Sequence, residues 1–403
     1  MKVQISKSNP WGEVAAPPSK SLAHRALICG ALSDLSRVEN LDFSKDISAT
    51  FNCLKALGAV CRADEKGVEI GGLDPFNIPN DAILHCSESG STLRFLIPLC
   101  LLSGNKITLK GSKRLFERPL DIYEKICAEQ GMIFEKNEDS LTLCGKLSSG
   151  NYRIPGNISS QFITGLLFAL PLLDGVSIVE ISGKFESESY IKLTLEMLSS
   201  CGIRVVYSAN RFIIMGNQKY RSFRYAVEGD CSNAAFLDAF NHMGGNVKIS
   251  GISPDTLQGD IAYKSIFRGL DEGIKQFDLS DCPDLAPICF ALAAVKGGAE
   301  FVGTSRLRLK ESDRGQAMKA ELAKFGVDLQ VEENSVKIPD CELKTPTESL
   351  YGHNDHRIVM ALSVLSTLTG GIIEGAEAVS KSYPDFFEVL KTLNVKVDIY
   401  EDR

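Results

Sequence analysis

The sequence predicts an α/β fold made of six similar units, and the first of two recurring patterns is a helix stop. Five segments read as a helix end, a Gly or Asn, a short alternating strand and a polar turn, and a sixth copy is weaker. The stop residues are Gly58, Gly131, Gly202, Gly273, Gly326 and Asn394. Successive stops are therefore 73, 71, 71, 53 and 68 residues apart. Gly is favoured after a helix because it adopts the left-handed conformation at little steric cost.

The second pattern is a set of apolar segments that each open with polar residues. They start at Ser21, Ser89, Ser160, Ser232, Asp284 and His356, at steps of 68, 71, 72, 52 and 72 residues. Segments that are apolar on nearly all sides predict buried helices. We therefore expect two groups of three units, each closed around its own helices. The break falls near residues 225–232, and the first strand, KVQIS, is expected to pair with the second group.

Composition limits the class of protein. A chain of 403 residues is long enough for two domains with cores of their own. The net charge of −7 argues against nucleic-acid binding, and the apolar runs are too short to span a bilayer. Twelve dispersed cysteines without a CxxC pair, and no apolar leader at the amino terminus, predict reduced thiols and a cytoplasmic location.

Basic residues collect at the starts of the apolar helices and in the joints that follow them. The helix starts carry Lys20, Ser21, Arg25, Ser89, Gly90, Ser91, Arg94, Ser159, Ser160, Gln161, Asp355, His356 and Arg357. The joints carry Arg118, Ser187, Tyr190, Arg308, Lys310, Glu311, Arg314 and Lys381. Helix amino termini attract anions, and Arg binds phosphate or carboxylate in a bidentate manner. The recurrence predicts a site for a small molecule with several negative charges.

Two acids within this basic set suggest proton transfer. Asp284 could accept a proton from a substrate hydroxyl, and Glu311, in SRLRLKESDRGQAM (305–318), could exchange one with a carbon centre. Lys20 is a second candidate acid. Purely structural alternatives remain at this point: Asp284 as a helix cap, and Glu311 as an ion-pair partner of Arg308 or Arg314. A binding protein without catalysis is also open, although it would have no use for acids in a basic pocket.

Other motifs give weak signals. The two histidines of HNDH (353–356) lack a third metal ligand nearby, and PPSKS (17–21) lacks the spacing of a phosphate-binding loop. We therefore expect no metal and no organic cofactor.

The ordered set PPSKSLAHRAL, SGSTLRFL, FERP, ISSQFITGLL, VEGDCS, LRLKESDR, NDHRIVMA and SKSYPDFF resembles the 5-enolpyruvylshikimate-3-phosphate synthase family over about residues 2–389. The resemblance implies a two-domain inside-out α/β barrel, with three βαβαββ units and buried helices in each domain. We expect residues 1–18 and 229–403 to form one domain, residues 19–228 the inserted one, and the active site to lie in the cleft between them. The implied reaction transfers the enolpyruvyl group of phosphoenolpyruvate to the 5-hydroxyl of shikimate 3-phosphate and releases phosphate. This is the shikimate-pathway step towards chorismate and the aromatic amino acids, and these substrates, without nucleic acid or membrane, are the expected partners of a monomer.

The resemblance also assigns the site residues. It implies that Asp284 accepts a proton, that Glu311 donates one, and that Lys20 assists. Shikimate 3-phosphate would bind to Lys20, Ser21, Arg25, Ser159, Ser160, Ser187, Asp284 and Lys310. Phosphoenolpyruvate would bind to Lys20, Gly90, Arg118, Gln161, Arg314, Arg357 and Lys381.

Three residues depart from the family pattern. Glu88 and Arg306 stand where Asn is expected, and His24 stands where Asn or a small polar residue is expected. The related transferase that acts on UDP-N-acetylglucosamine is the nearest enzymatic alternative. Its reactive Cys is absent from the corresponding loop, KRLFERP (113–119), which favours the shikimate substrate.

Overall fold

The structure, a computed structural model, describes residues 1–400 of the chain. The helices are α1 Lys20–Leu32, α2 Lys45–Ala56, α3 Gly90–Cys100, α4 Lys113–Glu117, α5 Asp121–Glu129, α6 Ser160–Ala169, α7 Glu188–Ser200, α8 Cys231–His242, α9 Tyr263–Asp271, α10 Ala286–Val295, α11 Arg314–Lys324, α12 His356–Thr369 and α13 Phe386–Thr392. The strands are β1 Lys2–Ile5, β2 Trp11–Ala15, β3 Ser36–Glu39, β4 Val60–Asp64, β5 Gly67–Gly71, β6 Ala82–Ser87, β7 Ile107–Gly111, β8 Ile133–Lys136, β9 Ser140–Cys144, β10 Asn151–Pro155, β11 Val176–Ser182, β12 Val205–Ser208, β13 Arg211–Met215, β14 Arg224–Ala226, β15 Asn246–Ser250, β16 Gln276–Asp278, β17 Ala299–Val302, β18 Gln330–Val331, β19 Ser335–Ile338, β20 Leu350–Tyr351, β21 Gly371–Glu374 and β22 Val397–Tyr400.

The chain divides into two compact units. The first contains Met1–Pro17 and the chain from Gly229 onward, and the second contains Pro18–Glu228. Each unit has its own hydrophobic core of buried side chains.

Five of the sheets share one strand arrangement. Their orders are β14-β3-β5-β4, β6-β7-β9-β8, β10-β11-β13-β12, β16-β17-β19-β18 and β20-β21-β1-β22. In each of them the first two strands are parallel, and the next two pairings are antiparallel. The repeat predicted from the sequence is therefore a helix followed by an antiparallel strand pair that completes a mixed sheet, and the predicted α/β class is confirmed.

The predicted helix stops are confirmed at all six positions. Gly58, Gly131, Gly202, Gly273, Gly326 and Asn394 all have positive φ. They follow α2, α5, α7, α9, α11 and α13 within three residues. A positive φ is sterically easy for Gly and tolerated by Asn, which explains the residue types at these stops.

Two copies differ from the others, and the strands explain why. After α9 the chain forms only β16, which pairs with β17, so this copy has no strand pair of its own. The short step of 53 residues reflects that missing pair. The last copy ends in the single strand β22, and the amino-terminal strand β1 pairs antiparallel with both β21 and β22. The expected pairing of the first strand with the second group is thus confirmed.

The apolar segments form buried helices, as predicted. Three of them, α1, α3 and α6, lie in the core of the second unit, and α8, α10 and α12 lie in the core of the first. Within residues 1–400, no helix combines the length and the apolar character that a membrane crossing requires. All twelve cysteines are free thiols.

Candidate active site

Arg25 connects two helices of the second unit. It lies in α1 and is 3% exposed. Its Nε donates to Thr194 Oγ1 at 2.9 Å, and Nη2 donates to the Tyr190 carbonyl at 2.9 Å, both on α7. Burial lowers the pKa of Arg25 to about 10, so the guanidinium stays charged at neutral pH. The second turn of α1 is thereby held against the first two turns of α7, where Ser187 is the residue that precedes the helix.

Lys20 is the first residue of α1, and it has an acidic partner. Its Nζ donates to Asp46 Oδ2 at 3.0 Å, and Asp46 lies in the first turn of α2. Both side chains are mostly buried, with 15% and 11% of their surface exposed. The pair fixes the ammonium group at the amino end of α1, beside Ser21.

Gly90 and Arg118 are in direct contact. Gly90 is the first residue of α3, and the guanidinium of Arg118 fills the space that a side chain at position 90 would occupy. Arg118 is 8% exposed, and its Nε has no hydrogen-bond partner among residues 1–400. A buried cation beside the open amino end of a helix is suited to bind a carboxylate or phosphate.

Gln161 is oriented by α3. Its Oε1 accepts from Arg94 Nη1 at 2.7 Å, and its Nε2 donates to Ser91 Oγ at 3.0 Å. The Arg94 guanidinium also stacks over the Phe162 ring, 5.2 Å from its centre. Arg94 was noted in the sequence as a cation at a helix start but was not assigned to the site. The structure makes it the group that orients Gln161.

The serines of the second unit have different surroundings. Ser159 caps α6, because its hydroxyl accepts from the Gln161 amide at 3.3 Å. Ser160 is the first residue of that helix and is 8% exposed. Ser187 is 3% exposed and has φ of 56°, an uncommon conformation for a non-glycine residue. Ser159 therefore acts as the cap of α6, and this role leaves its hydroxyl hydrogen available to donate.

In the first unit, Arg314 joins three carboxylates. The side chain of Arg314 is 1% exposed at the start of α11. It donates to Asp284 at 2.6 Å, to Glu311 at 2.9 Å and to Asp355 at 2.9 Å. The expected ion pair of Glu311 is thus present, and its partner is Arg314. Asp284 does not cap α10: it lies in the 3₁₀ turn Pro283–Leu285 and pairs with cations.

The charges around Asp284 set its protonation. Burial on its own raises the pKa of this carboxyl, but the positive charges of Arg357, Lys310 and Arg314 hold it well below its usual value. Lys310 Nζ lies 3.0 Å from Asp284 Oδ1, and Arg357 Nη2 lies 3.2 Å from Oδ2. Burial in turn lowers the pKa of Lys310, partly offset by Asp284. Asp284 is therefore an anion at neutral pH.

Arg357 and Lys381 complete the basic cluster of this unit. Arg357 is 4% exposed in the first turn of α12, and within the described part of the chain its Nε and Nη1 have no hydrogen-bond partner. Each of these N–H groups can donate to an oxygen of a bound carboxylate or phosphate. Lys381 is 5% exposed and donates to the Asn354 carbonyl, just before Asp355.

The three departures noted in the sequence have local consequences. Arg306 is 6% exposed, donates to the Ser280 carbonyl, and contributes to the lowered pKa of Lys310. His24 is 1% exposed, and its Nδ1 is 2.7 Å from Thr50 Oγ1. Glu88 is half-buried, two residues before Gly90.

Sequence reasoning missed several partners of the site residues. Asp46, Arg94 and Asp355 were not assigned, although each bonds to a residue that was. Asp355 and Arg94 had a signal, because Asp355 stands two residues before Arg357 in NDHR and Arg94 is a cation at a helix start. The loop KRLFERP is partly helical, as α4, and Arg118 directly follows that helix. The two histidines of HNDH have separate surroundings, since His353 donates to Glu321 while His356 is buried in α12.

These features are those of a repeat-built α/β protein whose two units each carry buried cationic groups suited to bind anionic small molecules. A family model described as EPSP synthase (3-phosphoshikimate 1-carboxyvinyltransferase) matches residues 6–390. The 3-phosphoshikimate 1-carboxyvinyltransferases of Clostridium kluyveri and Clostridium beijerinckii are 41% and 40% identical to this chain, over 98% and 95% of both sequences. A solved EPSP synthase from Acinetobacter baumannii, 20% identical, shares the fold with a TM-score of 0.78, over 99% of this chain and 100% of that one. The chain belongs to the EPSP synthase family.

Proposed function

We propose that this chain transfers the enolpyruvyl group of phosphoenolpyruvate to the 5-hydroxyl of shikimate 3-phosphate and releases phosphate. The main observation in support is that Arg314, a buried cation, forms ion pairs with both Asp284 and Glu311. It holds the two candidate proton-transfer groups on one guanidinium, within a cluster that also contains Lys310 and Arg357. The choice of substrates follows from the names of the relatives. The cluster of cations and carboxylates explains why these residues are suited to bind such substrates.

The reaction needs three proton transfers. Replacing phosphate by an ether oxygen at a vinyl carbon proceeds by addition followed by elimination. In the addition, the hydroxyl loses its proton, its oxygen bonds to C2 of phosphoenolpyruvate, and C3 gains a proton to become a methyl group. In the elimination, the methyl group loses a proton, the double bond reforms and phosphate leaves. We assign the hydroxyl proton to Asp284 and the C3 proton to Glu311, with Lys20 as a further acid.

The low pKa of Asp284 fits this role once substrates are considered. Three cations depress it in the protein as it stands. Two substrates that bring phosphate and carboxylate groups would offset those cations. The pKa of Asp284 then rises towards a value at which it accepts a proton readily.

The remaining residues bind the substrates in this proposal. Shikimate 3-phosphate binds to Lys20, Ser21, Arg25, Ser159, Ser160, Ser187, Asp284 and Lys310. Phosphoenolpyruvate binds to Lys20, Gly90, Arg118, Gln161, Arg314, Arg357 and Lys381. The support for the second group is the contact of Gly90 with Arg118 and the unbonded Nε and Nη1 of Arg357 within residues 1–400. The proposal also includes that the protein acts as a cytoplasmic monomer.

The test is a phosphate-release assay with phosphoenolpyruvate, run with and without shikimate 3-phosphate. Phosphate release that depends on shikimate 3-phosphate supports the proposal. UDP-N-acetylglucosamine serves as the control acceptor. Turnover with that acceptor and none with shikimate 3-phosphate would assign the chain to the other transferase activity, and binding of both substrates without turnover would leave a binding protein.

A further inference from the structure

The turn between β20 and α12 has an unusual backbone. His353 and Asn354 have φ of 49° and 50°, and the Asp355 amide donates to the Gly352 carbonyl at 2.9 Å. A four-residue turn with this bond and two positive φ values is of type I′, which favours Gly, Asn or Asp at its centre. Neither central residue here is Gly. Such a conformation persists where the surrounding structure holds it.

Glu321 supplies that support. It lies in α11, is 2% exposed, and accepts a hydrogen bond from the Tyr351 amide and one from His353 Nε2, each at 2.8 Å. Its third donor is Lys324 Nζ, also at 2.8 Å. Burial raises the pKa of Glu321, but these donors outweigh it and leave the pKa below its usual value. The carboxylate is therefore ionised, and it binds Tyr351, which precedes the turn, and His353, which lies within it.

The turn places three cations of the site. The carbonyl of Asn354 accepts from Lys381 Nζ. The next residue, Asp355, accepts from Arg314 Nε at 2.9 Å and from the Arg357 amide at 3.0 Å. A shift of the turn by a fraction of an ångström would therefore move Lys381, Arg314 and the start of α12 together.

We propose that Glu321 is a positioning residue for phosphoenolpyruvate binding. By holding the turn Gly352–Asp355 it sets the positions of the three cations that this substrate meets in the first unit. The inference rests on the proposed function, because those cations are assigned to phosphoenolpyruvate there. The alternative is a structural role through Lys324 alone, and this residue also donates to the Ser349 carbonyl.

The principal variant is Glu321→Gln, which keeps the shape of the side chain and removes its charge. Initial rates are measured with each substrate varied at a saturating level of the other. We expect the KM for phosphoenolpyruvate to rise by about tenfold or more, because small displacements of binding groups weaken binding and catalysis strongly. The KM for shikimate 3-phosphate should change by less than about threefold. Interactions that bind only phosphoenolpyruvate affect the KM of that substrate and not the KM of the other.

Two further variants separate positioning from general destabilisation. Lys324→Gln removes a partner of Glu321 that is not part of the turn, so both KM values should stay near those of the wild type. Glu321→Gln combined with Asn354→Gly keeps the carbonyl that binds Lys381 and eases the backbone, because Gly adopts positive φ freely. This double variant should recover most of the lost phosphoenolpyruvate affinity. An unchanged KM in Glu321→Gln, an equal rise in Lys324→Gln, or no recovery in the double variant would each overturn the inference.

If Glu321→Gln does not fold, His353 carries the test. Both His353→Ala and His353→Gly remove the bond to Glu321, but only Ala leaves a strained centre in the turn. We expect a raised KM for phosphoenolpyruvate in the Ala variant and a value nearer the wild type in the Gly variant, and equal values would overturn the inference. Wild-type turnover is measured first. Its absence would remove the proposed function, whereas normal wild-type turnover with unaffected variants would remove only the role of Glu321.

Discussion

A side chain at position 90 and the guanidinium of Arg118 compete for the same space. A Cβ added to Gly90 would lie 2.6 Å from Nη1 and 2.8 Å from Cζ of Arg118. Real Cβ atoms do not approach other atoms so closely, so Arg118 must move if position 90 carries a side chain. The relationship ties a residue of α3 to a cation that follows α4.

Gly90→Ala should therefore weaken phosphoenolpyruvate binding without unfolding the protein. We expect the KM for phosphoenolpyruvate to rise by about tenfold or more, because Arg118 loses its place beside the helix start. Gly315→Ala is the matched control at the start of α11, where an added Cβ would lie 3.2 Å from a methyl group of Val331. Steady-state kinetics and thermal unfolding of both variants check this, and an unaltered KM in Gly90→Ala would contradict it.

Glu311→Gln should lower turnover and leave the fold intact. The Glu311 side chain is 17% exposed and makes an ion pair with Arg314, which keeps its other two carboxylate partners. The amide cannot exchange the C3 proton, so kcat should fall by about 10²- to 10⁴-fold. Phosphate release and circular dichroism are the measurements. Near-normal turnover in a folded variant would remove Glu311 from the mechanism.

Asp260 should make the protein less stable above its own pKa. It is 4% exposed and accepts from the Ser232 hydroxyl. Burial and the nearby charges of Asp284 and Asp230 raise its pKa to about 6, against the opposing effects of Arg357 and Ser232. The native state therefore binds a proton at pH 4–6 that the unfolded state releases, and this contribution to stability is lost as the pH rises through 6.

Asp260→Asn should accordingly raise the free energy of unfolding at pH 8, by about 1–3 kcal/mol, and have little effect at pH 4. Denaturant unfolding at both pH values measures this, with Asp328→Asn, at an exposed position, as the control. Equal effects of Asp260→Asn at the two pH values would contradict the raised pKa.

His24 should make the protein sensitive to acid. Burial, followed by the charges of Lys20 and Arg25, holds the pKa of this imidazole well below 6.5. The unfolded chain then binds a proton more readily than the native state, so stability is lost as the pH falls below about 6.5. His24→Asn can still form a hydrogen bond with Thr50, and it should lose less stability between pH 8 and pH 5 than the wild type, by up to about 2 kcal/mol. The same loss in both proteins would contradict this prediction.

Much of the architecture could be predicted from the amino-acid sequence, because interactions between residues close together in the sequence specify it. The stops at Gly58 and Asn394 follow from backbone sterics, and α10 and α12 follow from apolar segments too uniform to face water. The basic residues at helix starts could be read in the same way. Their partners could not be read, because Lys20 and Asp46 are 26 residues apart, and Arg25 and Thr194 are 169 residues apart.

The number of repeats, the helix stops, the buried helices and the residue types available for chemistry can all be derived from the amino-acid sequence, because each depends on neighbours along the chain. Three relationships emerge from the folded chain alone: Arg314 pairs with Asp284, Glu311 and Asp355, Arg118 lies against Gly90, and Glu321 bonds to Tyr351 and His353. Hydrogen bonds and ion pairs require distances near 3 Å, and packing of distant segments sets those distances.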